Sequence, residues 1–200
     1  MAAPTVVATR AGATRAGYVT LDAFYQMDDL PEWGAELADG EVVMTPPPSF
    51  DHGLCTRALF RALDAYVVGH EMGDVFGDGF GYELPIAGRP DTYRTPDVSF
   101  VRAGRIPRAR VRHRALALAP DLAVEIRSRS DTAAVLERKL ADYLEAGTAL
   151  VWVVDGDART VAIHTAGSTV RILGGSEALD GGAVLPGFQL PLADLFAALD

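Results

Sequence analysis

Apolar positions along the chain switch between a period of two and a period near 3.6, and the switches mark its elements. Val19-Thr20-Leu21-Asp22 leads into a short helix through Phe24, Tyr25 and Met27. Glu36 to Met44 alternates about Asp39-Gly40, a dipeptide suited to a tight turn, and predicts a hairpin that Pro46-Pro47-Pro48 ends. From Asp51 to about His70, Leu54, Leu59, Leu63, Tyr66 and Val67 recur at helical spacing, with Ser49 or Asp51 as the cap. Glycine-rich sequence follows, with a strand over Gly79 to Leu84. Short apolar strands come next at Asp97–Val101 and Asp121–Ile126. An amphipathic helix then starts within Ser128 to Asp131 and closes at Gly147. Leu150 to Val154 is apolar throughout, as a strand buried on both faces requires. Strands at Thr160–His164 and Val170–Leu173 follow, and Pro186 to Asp200 reads as a closing loop with a short helix.

Leu122 to Val154 is strand, helix, strand with short connections, which makes the two strands parallel with a right-handed crossover. Hairpins flank this unit on both sides. The expected fold is therefore α/β, bordering on α+β, with a mixed sheet flanked by helices. Residues 18–200 read as one domain, and residues 1–17, rich in small residues, as a flexible tail.

Composition narrows the class. The chain is 49% hydrophobic and 22% charged, as in soluble globular proteins. No apolar run reaches the roughly 18 residues of a membrane span, so no membrane partner is expected. The one cysteine, Cys55, excludes an internal disulfide and fits a reducing cytoplasm. A net charge of −9 argues against coating nucleic acid through bulk charge. One segment departs from that: Arg102, Arg105, Arg108, Arg110, Arg112 and Arg114 fall within residues 102–114, which hold no acid.

Two acids are out of place in this pattern. Asp97 opens an apolar strand after Pro96, and Glu125 lies within Leu122-Ala123-Val124-Glu125-Ile126. A buried carboxylate is costly unless a partner compensates it, commonly a metal. Because side chains alternate across a strand, Val124 and Ile126 face one way while Glu125 and Arg127 face the other. If the two strands are neighbours, Asp97 and Glu125 can converge on one hard divalent cation that keeps waters and leaves room for a phosphate. An ion pair of Glu125 with Arg127 or Arg114 is the alternative. Lys139 falls within roughly 60° of both Leu136 and Tyr143 at about 100° per residue, on the shoulder of the apolar face, while Arg138 points to solvent. Lys139 and Glu125 also come out at similar heights, roughly 10 Å down the helix and roughly 7 Å back along the strand. Arg127 competes for the role of cation, although a guanidinium cannot serve as a base.

Pro96-Asp97, then Glu125, then Lys139 in the following helix resembles the PD-(D/E)XK nuclease superfamily. Within it the chain is similar to the Uma-type restriction endonuclease family. The matching stretches are Asp39-Gly40-Glu41-Val42-Val43-Met44 with Pro46-Pro47-Pro48 and His52-Gly53; Thr95 to Val101; Pro120 to Ile126 with Ser128 and Ser130-Asp131; and Lys139-Leu140-Ala141-Asp142-Tyr143 with Gly147 and Val151 to Asp155. Their order and spacing, rather than any single motif, carry the likeness over about residues 18–190. The resemblance implies a restriction-endonuclease-like core and Mg²⁺, or Mn²⁺ in its place, held by Asp97, Glu125 and the Ile126 carbonyl. It implies Lys139 as the catalytic lysine, because Arg127 stands where the E-x-K lysine is usual. It further implies hydrolysis of phosphodiester bonds, of DNA, with pairing of two copies a family expectation for cutting both strands.

The remaining candidates have two readings each. Arg108, Arg110, Arg112 and Arg114 would share one face of an extended segment and clamp DNA phosphates, or pair with the protein's own acidic surface. His52 would touch the scissile phosphate or cap its helix. Glu36, like Glu41, would supply a further acid near the metal or be an exposed hairpin charge. His52 and Cys55 at i and i+3 lack the second pair of ligands that a zinc site needs. The function expected is a metal-dependent endonuclease. A catalytically silent module that keeps the fold and binds nucleic acid or a protein is the alternative.

Overall fold

The computed structural model describes residues 14–15, 18–30, 34–44, 47–107, 115–128 and 132–200. Thr14–Arg15 (β1) pairs antiparallel with Tyr18–Val19 (β2), and the Thr20 hydroxyl caps Leu21–Phe24 (α1) by accepting from the Ala23 amide. The rest of the expected tail lies outside the described residues. Ala35–Ala38 (β3) and Glu41–Met44 (β4) form the hairpin, with Asp39 at φ 53° and Gly40 at φ 75°. Two successive left-handed residues match the twist of the strands they join. A Cβ on Gly40 would also lie 2.4 Å from that of Tyr18.

Phe50–Gly69 (α2) follows, with Ser49 accepting from the His52 amide at 3.2 Å, so Ser49 is its cap. Cys55, Leu59, Leu63 and Val67 form its buried stripe, and Leu54 is left only half-buried. Next come Gly73–Phe76 (β5), Tyr82–Glu83 (β6), Tyr93–Arg94 (β7), Val98–Arg102 (β8) and Leu122–Ile126 (β9). Ala133–Glu145 (α3) is capped by Thr132 and followed by Gly147 at φ 99°, the residue expected to close it. Leu150–Asp155 (β10), Thr160–His164 (β11), Arg171–Gly174 (β12), Ala178–Gly181 (β13), Leu185–Pro191 (β14) and Leu192–Phe196 (α4) complete the chain, with a last 3₁₀ turn at Ala197–Leu199.

The main sheet runs β12-β11-β10-β9-β8-β5, with β9 and β10 parallel and the other pairs antiparallel. The β9-α3-β10 crossover is thus the one its spacing predicts. One face of the sheet, with Val98, Phe100, Val124, Ile126, Trp152 and Val154, packs against α2 and α4. The other, with Val101, Ala123 and Val151, packs against Tyr143 of α3. Burial on both faces is why β10 reads as an apolar run through Val154 and β9 as one broken only by Glu125. A second sheet, β4-β3-β7-β6, sits beside the first and encloses Leu37 and Val42 against Phe24. The molecule is a mixed α/β structure with a mixed sheet flanked by helices, as expected.

Several features depart from the sequence reading: α3 begins at Ala133 rather than within Ser128 to Asp131, and β13 has no counterpart in it. β5 and β7 were hidden, one beginning with Gly73-Asp74 and the other only two residues long. The segment from Pro186 is mostly the second strand of a hairpin, β13–β14, rather than a loop. Its Pro186, Gly187 and Pro191 are tolerated because this is a separate two-stranded ribbon with free edges. Among the described residues, no helix is long and apolar enough to cross a membrane.

Candidate active site

Where β8 starts, its neighbour β9 runs two residues further, and Asp97 fills that step. The Asp97 amide donates to the Val124 carbonyl at 3.0 Å. Its carboxylate replaces the missing ladder partner, with Oδ2 accepting from the Ile126 amide at 2.6 Å. The register pairs Val98 with Val124, so Ile126 lies beyond the last ladder pair with β8. On the other carboxylate oxygen, Oδ1 stands 2.9 Å from Nε2 of His52 in the first turn of α2.

Glu125 points away from the face of Val124 and Ile126, toward α3. Tyr143 donates its hydroxyl to Oε1 at 2.7 Å, and Lys139 donates to Oε2 at 3.0 Å. Lys139 also lies 3.3 Å from Oε1 of Glu36, which comes from β3 in the second sheet. Glu36 is completely buried, not an exposed hairpin charge. It accepts from the Thr95 amide at 2.9 Å and from Arg94 at 2.9 Å. Arg94 is 2% exposed and its fork also grips the buried Asp142, with Nε at 2.8 Å. Arg89 extends the chain of charges, contacting Asp142 at 2.6 Å and Asp39 at 2.7 Å. Together these ion pairs tie the β3–β4 hairpin and β7 to α3, and Lys139 joins both carboxylates.

The environment separates the acids. Burial would push Glu36 up, but Lys139 and Arg94 outweigh it and hold the carboxyl down at about 2. For Glu125 burial prevails and raises the carboxyl to about 7, with the charges of Asp97 and Glu36 adding to the rise and Lys139 opposing it. Lys139 is itself held above its ordinary range, because Glu125, Glu36 and Asp97 overcome the cost of burying an ammonium. Burial disfavours the His52 imidazolium, yet the hydrogen bond and charge of Asp97 raise its pKa on balance. Acids driven apart in this way are typical of sites that handle protons.

These shifts give a testable slope. Folded Glu125 holds its proton up to about pH 7, whereas an unfolded glutamate releases it near 4.5, so folding stability falls as pH rises through that window. Protonated His52 acts in the same direction, its contribution being lost as pH rises through its raised pKa. Metal-free protein is therefore expected to be less stable at pH 8 than at pH 5.5, by about 2–3 kcal/mol in urea titrations. Glu125→Gln should remove most of the difference. Equal midpoints for the wild type at the two pH values would refute the assignment. Glu36 acts oppositely and only at lower pH, where its stabilisation disappears between about 4.5 and 2.

A cleft of about 460 Å³ opens over these groups, lined by Glu36, His52, Asp97, Glu125, Ile126 and Lys139 on one side and by Phe24, Tyr25, Met27, Leu30, Met44 and Tyr93 on another. The structure thus brings Asp97, Glu125, Ile126, Lys139, His52 and Glu36 to one place. Arg127 is not among them: its half-exposed side chain pairs with Asp155 at 2.8 Å, and Lys139 and Tyr143 are the partners of Glu125. Arg138 reaches back to the hairpin, at 3.1 Å from Asp39, instead of pointing to solvent. Cys55 faces the core, not His52. Arg108, Arg110, Arg112 and Arg114 lie outside the described residues. Tyr143, Arg94, Asp142 and Thr95 escaped notice as supports of the site. Lys139, Asp142 and Tyr143 at i, i+3 and i+4 share one helix face, a signal that could have found two of them.

The donor chemistry suits a hard cation better than a soft one. Among the described residues, no three His, Cys, Asp or Glu side chains converge as a ready metal shell. Asp97 and Glu125, with the Ile126 carbonyl that the family resemblance implies, would offer a small all-oxygen set, the kind that an ion retaining several waters needs. Burial, more than the neighbouring acids, raises the Glu125 carboxyl, and a cation at its oxygens would oppose that rise.

Comparison with known proteins bears on the fold and the family. A solved structure described as a putative nuclease belonging to DUF820 from Anabaena variabilis ATCC 29413 is 21% identical and superposes with a TM-score of 0.78, covering 91% of this chain and 99% of that one. At that identity the likeness establishes the fold. No curated protein matches. Residues 21–193 match the profile of the family described as Uma2, putative restriction endonuclease, which contains every side chain of the cleft floor. The chain belongs to the Uma2 family.

Proposed function

We propose that the protein is a Mg²⁺-dependent endonuclease that hydrolyses phosphodiester bonds of DNA, with Mn²⁺ able to replace Mg²⁺. The observation that carries this reading is the meeting of Asp97, Glu125 and Lys139 at the floor of one cleft, from a strand start, a strand interior and a helix. Asp97, Glu125 and the Ile126 carbonyl would hold the ion. Bound there, it would acidify a water and neutralise charge developing on phosphorus. Lys139 orients that water or offsets the same charge, and Glu36 and Tyr143 fix where its ammonium and the Glu125 carboxylate stand. His52 holds Asp97 in place beside the cleft. Cutting both strands would call for two copies acting together, in the cytoplasm where Cys55 stays reduced.

A second reading, a catalytically silent module binding nucleic acid or a protein, draws on one observation. All four oxygens of Asp97 and Glu125 already meet internal partners. Cleavage of single-stranded, duplex and structured DNA in Mg²⁺, in Mn²⁺ and in chelator decides between them. Metal-dependent cutting by the wild type, abolished in Asp97→Ala and Glu125→Ala, is expected. Identical behaviour of all three proteins on every substrate would leave the silent module as the better reading.

A further inference from the structure

The cleft has a wall that phosphodiester hydrolysis by itself does not use. Phe24, Tyr25 and Tyr93 form a cluster of rings there, with centroids 5.3 Å apart for Phe24 and Tyr93 and 6.1 Å for Tyr25 and Tyr93. Met27, Leu30 and Met44 extend the same surface. Tyr93 is held against the backbone, because a Cβ on Gly81 would meet its hydroxyl at 2.1 Å, so the ring occupies the space a side chain there would need. Tyr25 is 37% exposed, with its hydroxyl donating to Glu83 at 2.8 Å, so its position too is set by a partner. Tyr93 pairs in register with Leu37, next to Glu36, and precedes Arg94 and Thr95, both of which bind Glu36. Tyr25 and Tyr93 line the same cleft as Glu36, Glu125 and Lys139.

Charge on the lining argues against a duplex. Among the described lining residues the only cations are His52 and Lys139, and each already faces a carboxylate. Double-stranded DNA carries a negative charge about every 1.7 Å. A duplex laid along the cleft would set several phosphates against Glu36, Asp78, Asp97 and Glu125, with His52 and Lys139 as the cations among the described lining residues. Its volume of about 460 Å³ is of small-ligand size. Attraction on this side has to come from apolar and aromatic surface, which suits the face of a base that has left its stack.

Resting on the nuclease reading above, we propose that Tyr25 and Tyr93 form a stacking site for one unpaired nucleobase next to the scissile phosphate. The substrate is then a single-stranded or locally opened segment rather than an intact duplex. The rings supply base-independent affinity, since every base presents a π-face, and the acid floor receives the adjoining phosphate together with its metal.

Binding is measured by fluorescence anisotropy on the full chain carrying Glu125→Gln, in Mg²⁺, so that no cleavage intervenes. The probes are a labelled single-stranded 12-mer of DNA, the same sequence as a blunt duplex, and an abasic strand of equal length. The single strand is expected to bind at least tenfold more tightly than either of the others. Adding Tyr25→Ala should weaken single-strand binding about tenfold and leave the abasic strand unaffected, while Tyr25→Phe, which keeps the ring but not its bond to Glu83, should stay within about threefold of the Glu125→Gln parent. Tyr25→Leu, which keeps apolar bulk without the ring, should behave like Tyr25→Ala, so a folding defect in the smaller variant cannot mimic the result. Equal binding of the single and abasic strands, duplex binding as tight as single-strand binding, or no binding to any probe each overturns the site. Base-dependent binding with a wild type that cuts nothing would instead sink the proposed activity and leave the stacking site standing. Duplex cutting that Tyr25→Ala does not alter would do the reverse.

Discussion

Arg94→Met is expected to destabilise the protein by about 3–5 kcal/mol, the cost of leaving buried carboxylates without their counter-charge. Arg94 is 2% exposed, and the two acids its fork binds, Glu36 and Asp142, are 0% exposed. Methionine has a similar length, so little packing volume is lost and the deficit is electrostatic. Lys139 still faces Glu36 and Arg89 still faces Asp142, which is why the loss stays within that range. Against a typical total stability of about 5–15 kcal/mol, the variant sits near the edge of folding. Urea denaturation at pH 7 measures the loss. A double-mutant cycle with Asp142→Asn should return a coupling above about 1 kcal/mol, since the two residues share one network. A loss below about 1 kcal/mol for Arg94→Met alone would mean that water reaches the pair and that the network does not hold the second sheet against α3.

Lys139→Met is expected to lower kcat by about 10²–10³, the scale on which one preorganised group facing developing charge contributes. If Lys139 acts only as charge builds on the phosphate, kcat and kcat/KM should fall together and KM should hardly change. Lys139→Arg separates its two possible roles. A guanidinium keeps the charge but cannot accept a proton, so substantial recovery points to electrostatic stabilisation and none points to handling of the water. Unchanged turnover in Lys139→Met, with the variant folded, would remove Lys139 from the chemistry and leave it as the ammonium that neutralises Glu36 and Glu125.

Much of the fold could be read in advance where one rule governs. The β9-α3-β10 crossover follows from period and connection length, and the β3–β4 turn from the left-handed tolerance of Asp39-Gly40. Ser49 as the cap of α2 and Gly147 at the end of α3 are equally local. β5, β7 and β14 were hidden because strands that begin with glycine, span two residues or contain proline are made by their neighbours. Asp97, Glu125 and Lys139 could be placed together because strand alternation and helix pitch fix the direction in which a side chain leaves its own element.

Glu36 shows where that reach ends. Its segment alternates as an exposed hairpin would, and nothing local says that a second sheet, closed by β7, buries it against α3. Arg94 and Asp142 lie far apart in sequence, and only their meeting turns two ordinary surface-type charges into a buried pair. Arg127 and Lys139 were both within reach of Glu125 by spacing alone; Arg127, one step past β9 and beside the end of β10, pairs with Asp155 and leaves the acid to Lys139. Periodicity and residue chemistry thus determined which elements form and that two acids would stand in apolar strands, while the order and spacing of whole stretches carried the likeness to the family. The tertiary structure decided which charges compensate those acids, because burial and pairing depend on the approach of elements that the chain does not place side by side.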